Sequence, residues 1–267
     1  MVPLQSLFPR MSGNLTFPSP PAVYLLLGSL PLLVLSESIT RSHTGTALFK
    51  MLSSVAFISG PIFLTTTEWS PVQSLITTGL LFSLAGDYFL IPSRSEFHNM
   101  DSNPSEEKRI SISFQLGVVA FAAAHIAYIL AFFQDTHTVS WESFATTFIA
   151  TMAIAKWLGV IYPPPHASSR SNMLDLTIPG DMKPLVLIYA TIISFMFATA
   201  VSTTPLDVST RWQYQRVFGA GMFVASDVYV AKDAFKKTPG KRGWVQSAFG
   251  YGLYFWGQMV IAGLVEG

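Results

Sequence analysis

The 267-residue chain contains no cysteine. That removes disulfide scaffolds, iron–sulfur clusters, cysteine-built zinc sites and thiol nucleophiles. Charge is also scarce. Lys and Arg number 16 and Asp and Glu 15, together 12% of the residues, roughly half the share of an ordinary soluble domain. The formal net charge of +1 gives no basis for nucleic-acid binding. A P-loop, a Rossmann glycine fingerprint, a G-x-S-x-G elbow and H-E-x-x-H are all missing. What the chain has in excess is apolar: 50% hydrophobic residues, with 21 Phe, 9 Tyr and 6 Trp. Such a composition excludes disorder and argues against a water-soluble globule. It reads as an all-α integral membrane protein built as one domain.

A bilayer-crossing helix needs about 20 mostly apolar residues. Eight stretches qualify: 22–39, 46–66, 72–91, 110–133, 141–162, 182–202, 212–232 and 244–264. An N-terminal tail, 1–21, therefore precedes a single domain over 22–264, a bundle of eight transmembrane helices. The tail is Pro/Ser-rich with Arg10 as its only charge, unlike a cleaved signal peptide. The first stretch is the shortest and contains Pro31, whereas Pro61, Pro92, Pro163 to Pro165, Pro184 and Pro205 lie near expected helix ends. Connections are short apart from 92–109 and 163–181.

Basic residues set the orientation. The connections after spans one, three, five and seven hold Arg41, Arg94, Lys108, Arg109, Arg170, Lys183, Lys232, Lys236, Lys237, Lys241 and Arg242. The other connections hold Arg211 alone, with Arg216 just inside span seven. Both termini are thus expected on the non-cytosolic side, which would put the sequon Asn14-Leu15-Thr16 in a lumen. An endomembrane such as the endoplasmic reticulum is the expected location.

Two segments echo each other. Gly79-Leu80-Leu81-Phe82-Ser83-Leu84-Ala85-Gly86-Asp87-Tyr88-Phe89 in span three matches Gly219-Ala220-Gly221-Met222-Phe223-Val224-Ala225-Ser226-Asp227-Val228-Tyr229 in span seven. Each has Gly eight residues before Asp, Ala and a small residue directly before it, and an aromatic soon after. Spans three and seven hold equivalent places in two sets of four, so the echo points to a parallel 4+4 tandem duplication; two Gly/Ala-rich helices can also match by chance.

Asp87 and Asp227 are the first candidates for chemistry. An ionisable group at the centre of a membrane helix costs at least ~2.5–3.5 kcal/mol, so something must offset it. Both sit near the expected cytosolic helix ends, about 7 Å beneath them at 1.5 Å per residue. Two carboxyls sharing a site can supply one acid and one base near neutral pH. The same pair suits a proton-coupled transporter, or a hydrogen-bonded clasp between helices. Ser83 lies one turn before Asp87. His125 lies in a stripe with Gly117, Phe121, Tyr128 and Phe132, and a lone interior His is more often a hydrogen-bonder than a metal ligand. No second intramembrane His accompanies it, so neither metal nor cofactor is expected. Tyr189, and Tyr254 with Gln258 four residues on, are further interior polar candidates. Lys50 opens span two and Lys156 lies near the end of span five; long amines there commonly snorkel to the interface.

These residues, in this order, resemble the YhhN-type membrane proteins, which include the transmembrane lysoplasmalogenases. The resemblance covers about 50–264. Lys50 begins it; Phe82-Ser83 and Gly86-Asp87 look like the family's F-S-x-x-G-D element. The Gly117, Phe121, His125, Tyr128, Phe132 stripe follows, then Pro184, Tyr189 and Met196. Gly219, Phe223 and Ser226-Asp227 look like a second Asp element, and Tyr254 with Gln258 a closing Y-x-x-x-Q. The first span and the two long connections match nothing in the pattern.

The resemblance implies hydrolysis of the vinyl-ether bond of lysoplasmenyl-ethanolamine or -choline to a fatty aldehyde and the glycerophospho-alcohol. Asp87 and Asp227 would be catalytic. Ser83, His125, Tyr128, Tyr189, Ser226, Tyr254 and Gln258 would place substrate or water, and Lys50 would meet the headgroup phosphate. The partners implied are a lysophospholipid and the surrounding membrane lipids. A proton-coupled transporter or lipid carrier, and a hydrolase of another ether or ester lysolipid, stand as alternatives.

Overall fold

The computed structural model describes residues 14–63, 68–99, 110–163, 172–204, 212–236 and 243–265. Lys108, Arg109, Arg170, Arg211, Lys237, Lys241 and Arg242, on which much of the orientation argument rests, lie outside the described residues, as do Arg10, Pro164, Pro165 and Pro205. The described chain is helical apart from one short ladder. Its helices are α1 (Pro20–Ser38), α2 (His43–Ile62), α3 (Pro71–Phe89), α4 (Arg94–Asn99), α5 (Ile112–Gln134), α6 (Trp141–Leu158), α7 (Lys183–Ser202), α8 (Gln215–Phe235) and α9 (Trp244–Ala262). All except α4 coincide with the eight apolar stretches. Four of them, α1, α2, α5 and α7, are long and apolar enough to cross a membrane, which marks the chain as a membrane protein.

Serine starts most of these helices. The side chains of Ser42, Ser70, Ser111 and Ser140 accept from the backbone N–H of Gly45, Gln73, Phe114 and Ser143, satisfying donors that the helix leaves orphaned. At α3 the Gln73 side chain returns the bond to the Ser70 backbone, a full capping box, with Pro71 in the first turn. At the other end of α6, Gly159 adopts φ +90° and closes the helix through bonds to Ala155 and Lys156 carbonyls. A side chain is strained in that conformation, so α6 stops at Leu158 rather than continuing to 162.

The one ladder joins β1 (Thr138–Val139) to β2 (Thr203–Thr204), antiparallel with Thr138 opposite Thr204. Beside it, Arg216 explains why a guanidinium stands at that end of the bundle. It is 2% exposed and donates to Asp135 Oδ2 at 2.9 Å, to the Asp135 carbonyl at 3.0 Å and to Thr203 Oγ1 at 3.0 Å. The ion pair fastens the ends of α5 and α7 to the start of α8.

Helices pack α1 on α2 and α9, α6 on α7, α3 on α5, α8 on α9, α2 on α9 and α7 on α5. Glycines allow the closest approaches. A Cβ at Gly79 would strike the Tyr128 ring and one at Gly86 the Phe121 ring, while one at Gly219 would meet Ile261. The core is lined by Leu80, Ala124, Tyr128, Phe223 and Phe255. Outside it the surface is inverted relative to a soluble protein: Leu27, Leu81, Ile112, Leu130, Ile149 and Ile188 are exposed, and α6 buries no residue fully. An apolar outer face of this extent needs a lipid or protein surround.

Candidate active site

A cavity of about 1200 Å³ opens at one end of the bundle. It is reached at the C-terminal ends of α1, α3, α6 and α8 and at the N-terminal ends of α2, α5, α7 and α9, through residues such as Glu37, His43, Leu90, Leu158, Phe235 and Gln246. Successive long helices therefore alternate in direction. Arg41, Lys232 and Lys236 stand among the mouth residues, with Glu96 and Asp233. Deeper in, both Asp87 and Asp227 line the same space, together with Lys50, Tyr189, Ser226 and Tyr254.

Asp87 is 2% exposed and surrounded by donors. Ser54 Oγ donates to Oδ2 at 2.8 Å, Tyr254 Oη to the same oxygen at 2.6 Å, and the Lys50 ammonium lies 3.7 Å from Oδ1. This is what offsets the cost of a carboxylate in an apolar bundle. The lysine has not snorkelled; its side chain is buried. Lys50 and Ser54 share a face of α2 because they are one turn apart, and Tyr254 reaches across from α9.

Asp227 is less enclosed and has a single hydrogen-bond partner among the described residues, Tyr189, whose Oη donates to Oδ2 at 2.5 Å. Tyr189 Oη in turn lies 3.1 Å from His125 Nε2. On the other branch, Tyr128 Oη donates to Gln258 Oε1 at 2.9 Å, Ser83 Oγ lies 3.4 Å from Tyr128 Oη, and Gln258 Nε2 donates weakly to Tyr254 Oη at 3.4 Å. Each aspartate thus accepts from a tyrosine whose oxygen is itself in contact with a side-chain nitrogen, His125 Nε2 or Gln258 Nε2. Aromatic edges hold the two branches together: Phe223 lies against His125 at 4.9 Å and against Tyr254 at 5.4 Å between ring centroids.

Of the residues singled out in the sequence, Asp87, Asp227, Ser83, His125, Tyr128, Tyr189, Tyr254 and Gln258 fall into this network. Ser226 lines the cavity, but its hydroxyl is bonded to the Phe223 carbonyl of its own helix at 2.8 Å and does not reach a carboxylate. Lys50 joins the network through Asp87. Ser54 was missed by sequence reasoning, although its i, i+4 spacing from Lys50 was available to find it. No three His, Cys, Asp or Glu side chains converge to a metal-binding group among the described residues.

The class of protein this defines is a helical membrane protein with two carboxyls, differently furnished with donors, in one cavity open toward a single end. A protein-family model for the YhhN family matches residues 45–265, most of the chain and every residue of the hydrogen-bonded network; the chain belongs to the YhhN family. No curated protein and no solved structure matches it.

Proposed function

We infer that the protein is a membrane-embedded hydrolase that cleaves the vinyl-ether bond of lysoplasmalogens. The observation that carries this is the pairing of Asp87 and Asp227 in one cavity of about 1200 Å³. That volume exceeds the roughly 300–1,000 Å³ of ordinary small-molecule sites and suits a molecule with both a long chain and a polar head. Vinyl-ether hydrolysis needs a proton for the β-carbon, a directed water, and negative charge beside the oxocarbenium ion that forms. Two carboxyls with ordered hydroxyl neighbours supply all three.

In this reading the eight long helices are eight spans, and the cavity mouth faces the cytosol. A lysolipid enters head-last: its phosphate stays at the mouth near Arg41, Lys232 and Lys236, and its first-position linkage reaches the aspartates. Lys50, next to Asp87, serves the carboxylate rather than the phosphate. The pairs α1–α2 and α6–α7, and α3–α5 and α8–α9, support a parallel duplication, α1–α3 with α5 against α6–α9. An endomembrane location fits the basic cytosolic loops.

The test is aldehyde release by detergent-purified protein from lysoplasmenyl-ethanolamine, beside the saturated alkyl-ether and the acyl analogues. Release confined to the vinyl ether, and lost in Asp87→Asn and Asp227→Asn, supports the reading. A folded protein that consumes none of the three sinks it; the same carboxyls would then be tested for proton-coupled lipid movement in vesicles.

A further inference from the structure

The two carboxyls are not equivalent, and hydrogen-bond bookkeeping around them separates their roles. A tyrosine hydroxyl has one proton to give. With the Tyr189 proton on Asp227 Oδ2, the 3.1 Å contact between Tyr189 Oη and His125 Nε2 is made by a proton on the imidazole. The other ring nitrogen favours the same Nε2–H tautomer, because a bare buried acceptor costs less than a buried N–H without a partner. Consistently, His125 Nδ1 is buried with no hydrogen-bond partner among the described residues, and the ring is fully enclosed. An imidazole held this way points its one donor at the oxygen of Tyr189 and thereby aims the Tyr189 proton at Asp227 Oδ2. A proton on the Asp227 carboxyl is then placed on Oδ1, which has no partner among the described residues, on a side chain lining the cavity. Asp87 presents the opposite pattern. Oδ1 faces the Lys50 ammonium and Oδ2 accepts from Tyr254, with Ser54 dividing its one proton between Oδ2 and the Lys50 carbonyl; a cation beside one oxygen and a phenol proton on the other suit a carboxylate better than a protonated acid.

We propose that Asp227 is the proton donor, acting through Oδ1, that Asp87 is the resident carboxylate, and that His125 is a positioning residue that sets the Asp227 proton through Tyr189. The assignment rests on the vinyl-ether reading above. Asp227 gives its proton to the β-carbon, whose π electrons form the new C–H bond and leave an oxocarbenium ion. Water bonds to the cationic carbon and passes a proton to Asp87. In the collapse of the hemiacetal, Asp87 returns that proton to the departing glycerol oxygen while Asp227 takes the hydroxyl proton. Both carboxyls regain their starting forms, and the sum is one vinyl ether and one water giving one aldehyde and one alcohol.

The test measures aldehyde release from lysoplasmenyl-ethanolamine by wild type, His125→Gln, His125→Leu, Tyr189→Phe and the double His125→Leu/Tyr189→Phe. Glutamine places an N–H donor where Nε2–H stands and should keep kcat within about threefold, whereas His125→Leu and Tyr189→Phe should each lower kcat about tenfold or more with KM unchanged. The double variant should be no slower than Tyr189→Phe, since both act through one hydroxyl. Losses that multiply, a loss confined to KM, or His125→Gln as slow as Tyr189→Phe each overturn the assignment. Should His125→Leu fail to fold, His125→Gln against Tyr189→Phe decides it alone. Formate buffers then check the roles: Asp227→Ala should be rescued in proportion to undissociated formic acid and Asp87→Ala in proportion to the anion, and the reverse order overturns the assignment. A wild-type protein that releases no aldehyde removes the hydrolase reading and this assignment with it. An active wild type beside an undiminished His125→Leu removes the assignment alone.

Discussion

Replacing Tyr254 by Phe deletes one oxygen and little else. The ring is packed edge-on against Phe57, Phe121, Phe223 and Phe255 at centroid distances of 6.4, 5.7, 5.4 and 4.8 Å, and phenylalanine preserves those contacts. What disappears is the 2.6 Å bond to Asp87 Oδ2 and the acceptor for Gln258 Nε2, a long contact at 3.4 Å. A hydrogen bond to a charged group contributes about 1.5–3 kcal/mol. Asp87 keeps Ser54 on the same oxygen and Lys50 on the other, so the carboxylate stays paired and the fold should lose no more than about 1 kcal/mol. The bond is strongest to the carboxylate, so it favours the step in which Asp87 returns its proton to the departing glycerol oxygen; where that step limits turnover, the value of the bond falls on the barrier and kcat drops roughly 10- to 100-fold. The assay is kcat for aldehyde release alongside the melting temperature of the detergent-solubilised protein. A kcat within about twofold of wild type would refute the reasoning, as would an activity loss that merely follows a fall in folded fraction.

Three further perturbations separate fold from site. Asp135→Ala removes a carboxylate from the buried Arg216 guanidinium. Breaking such a pair costs about 3–5 kcal/mol when fully buried, and because the Asp135 side chain is 20% exposed and Arg216 keeps carbonyl and threonine acceptors, about 2–3 kcal/mol is expected, read as a lower melting temperature; an unchanged melt contradicts it. Gly79→Ala sets helix propensity, worth about 1 kcal/mol in favour, against a Cβ that would lie 2.9 Å from Tyr128 Cζ. Overpacking at about 1–3 kcal/mol wins, so the variant should melt lower, and a higher melting temperature would show that Tyr128 yields freely. Lys50→Met should lower kcat with little change in KM if Lys50 serves Asp87; a rise in KM alone would return Lys50 to the phosphate.

Helix positions were legible because each long helix is a run of apolar residues, most begin at a serine or proline, and α6 and α9 close on Gly159 and Gly263. The candidate site was legible in part for a related reason. Asp87, His125 and Asp227 are polar residues in apolar helices, so their cost exposes them. Which of them meet was not legible, because Tyr189 reaches His125 from another helix and Tyr254 reaches Asp87 from far along the chain; such pairings depend on helix rotation, which no local pattern fixes. Ser54 stayed hidden because serine in a membrane helix ordinarily bonds its own backbone, as Ser54 also does to Lys50. The connection at 163–181 gave no signal either. Its described part folds back through Leu176, paired with Lys236, and through Thr177, bonded to the Phe235 carbonyl, and so helps to shape the cavity mouth.

The echo between spans three and seven suggests two equal aspartates, yet their surroundings have diverged where it matters. At the same separation along the chain that relates Asp87 to Asp227, Lys50 corresponds to Ala190 and Ser54 to Ser194. Both members of each pair line α2 or α7, and Ala190 and Ser194 border the cavity. A serine stands at both positions, while among the described residues an ammonium lies beside Asp87 and none beside Asp227. Two alike carboxyls lining one cavity give no reason for one to hold a proton before the other. Placing a cation beside one of them breaks the tie by Coulomb attraction that a low-dielectric interior enlarges. In the proposed assignment, Lys50 of α2 is the residue that sets Asp87 apart as the carboxylate. Introducing Lys at Ala190 beside Asp227 should abolish aldehyde release while the protein still folds. If that variant kept wild-type kcat, the asymmetry would not be what divides the work.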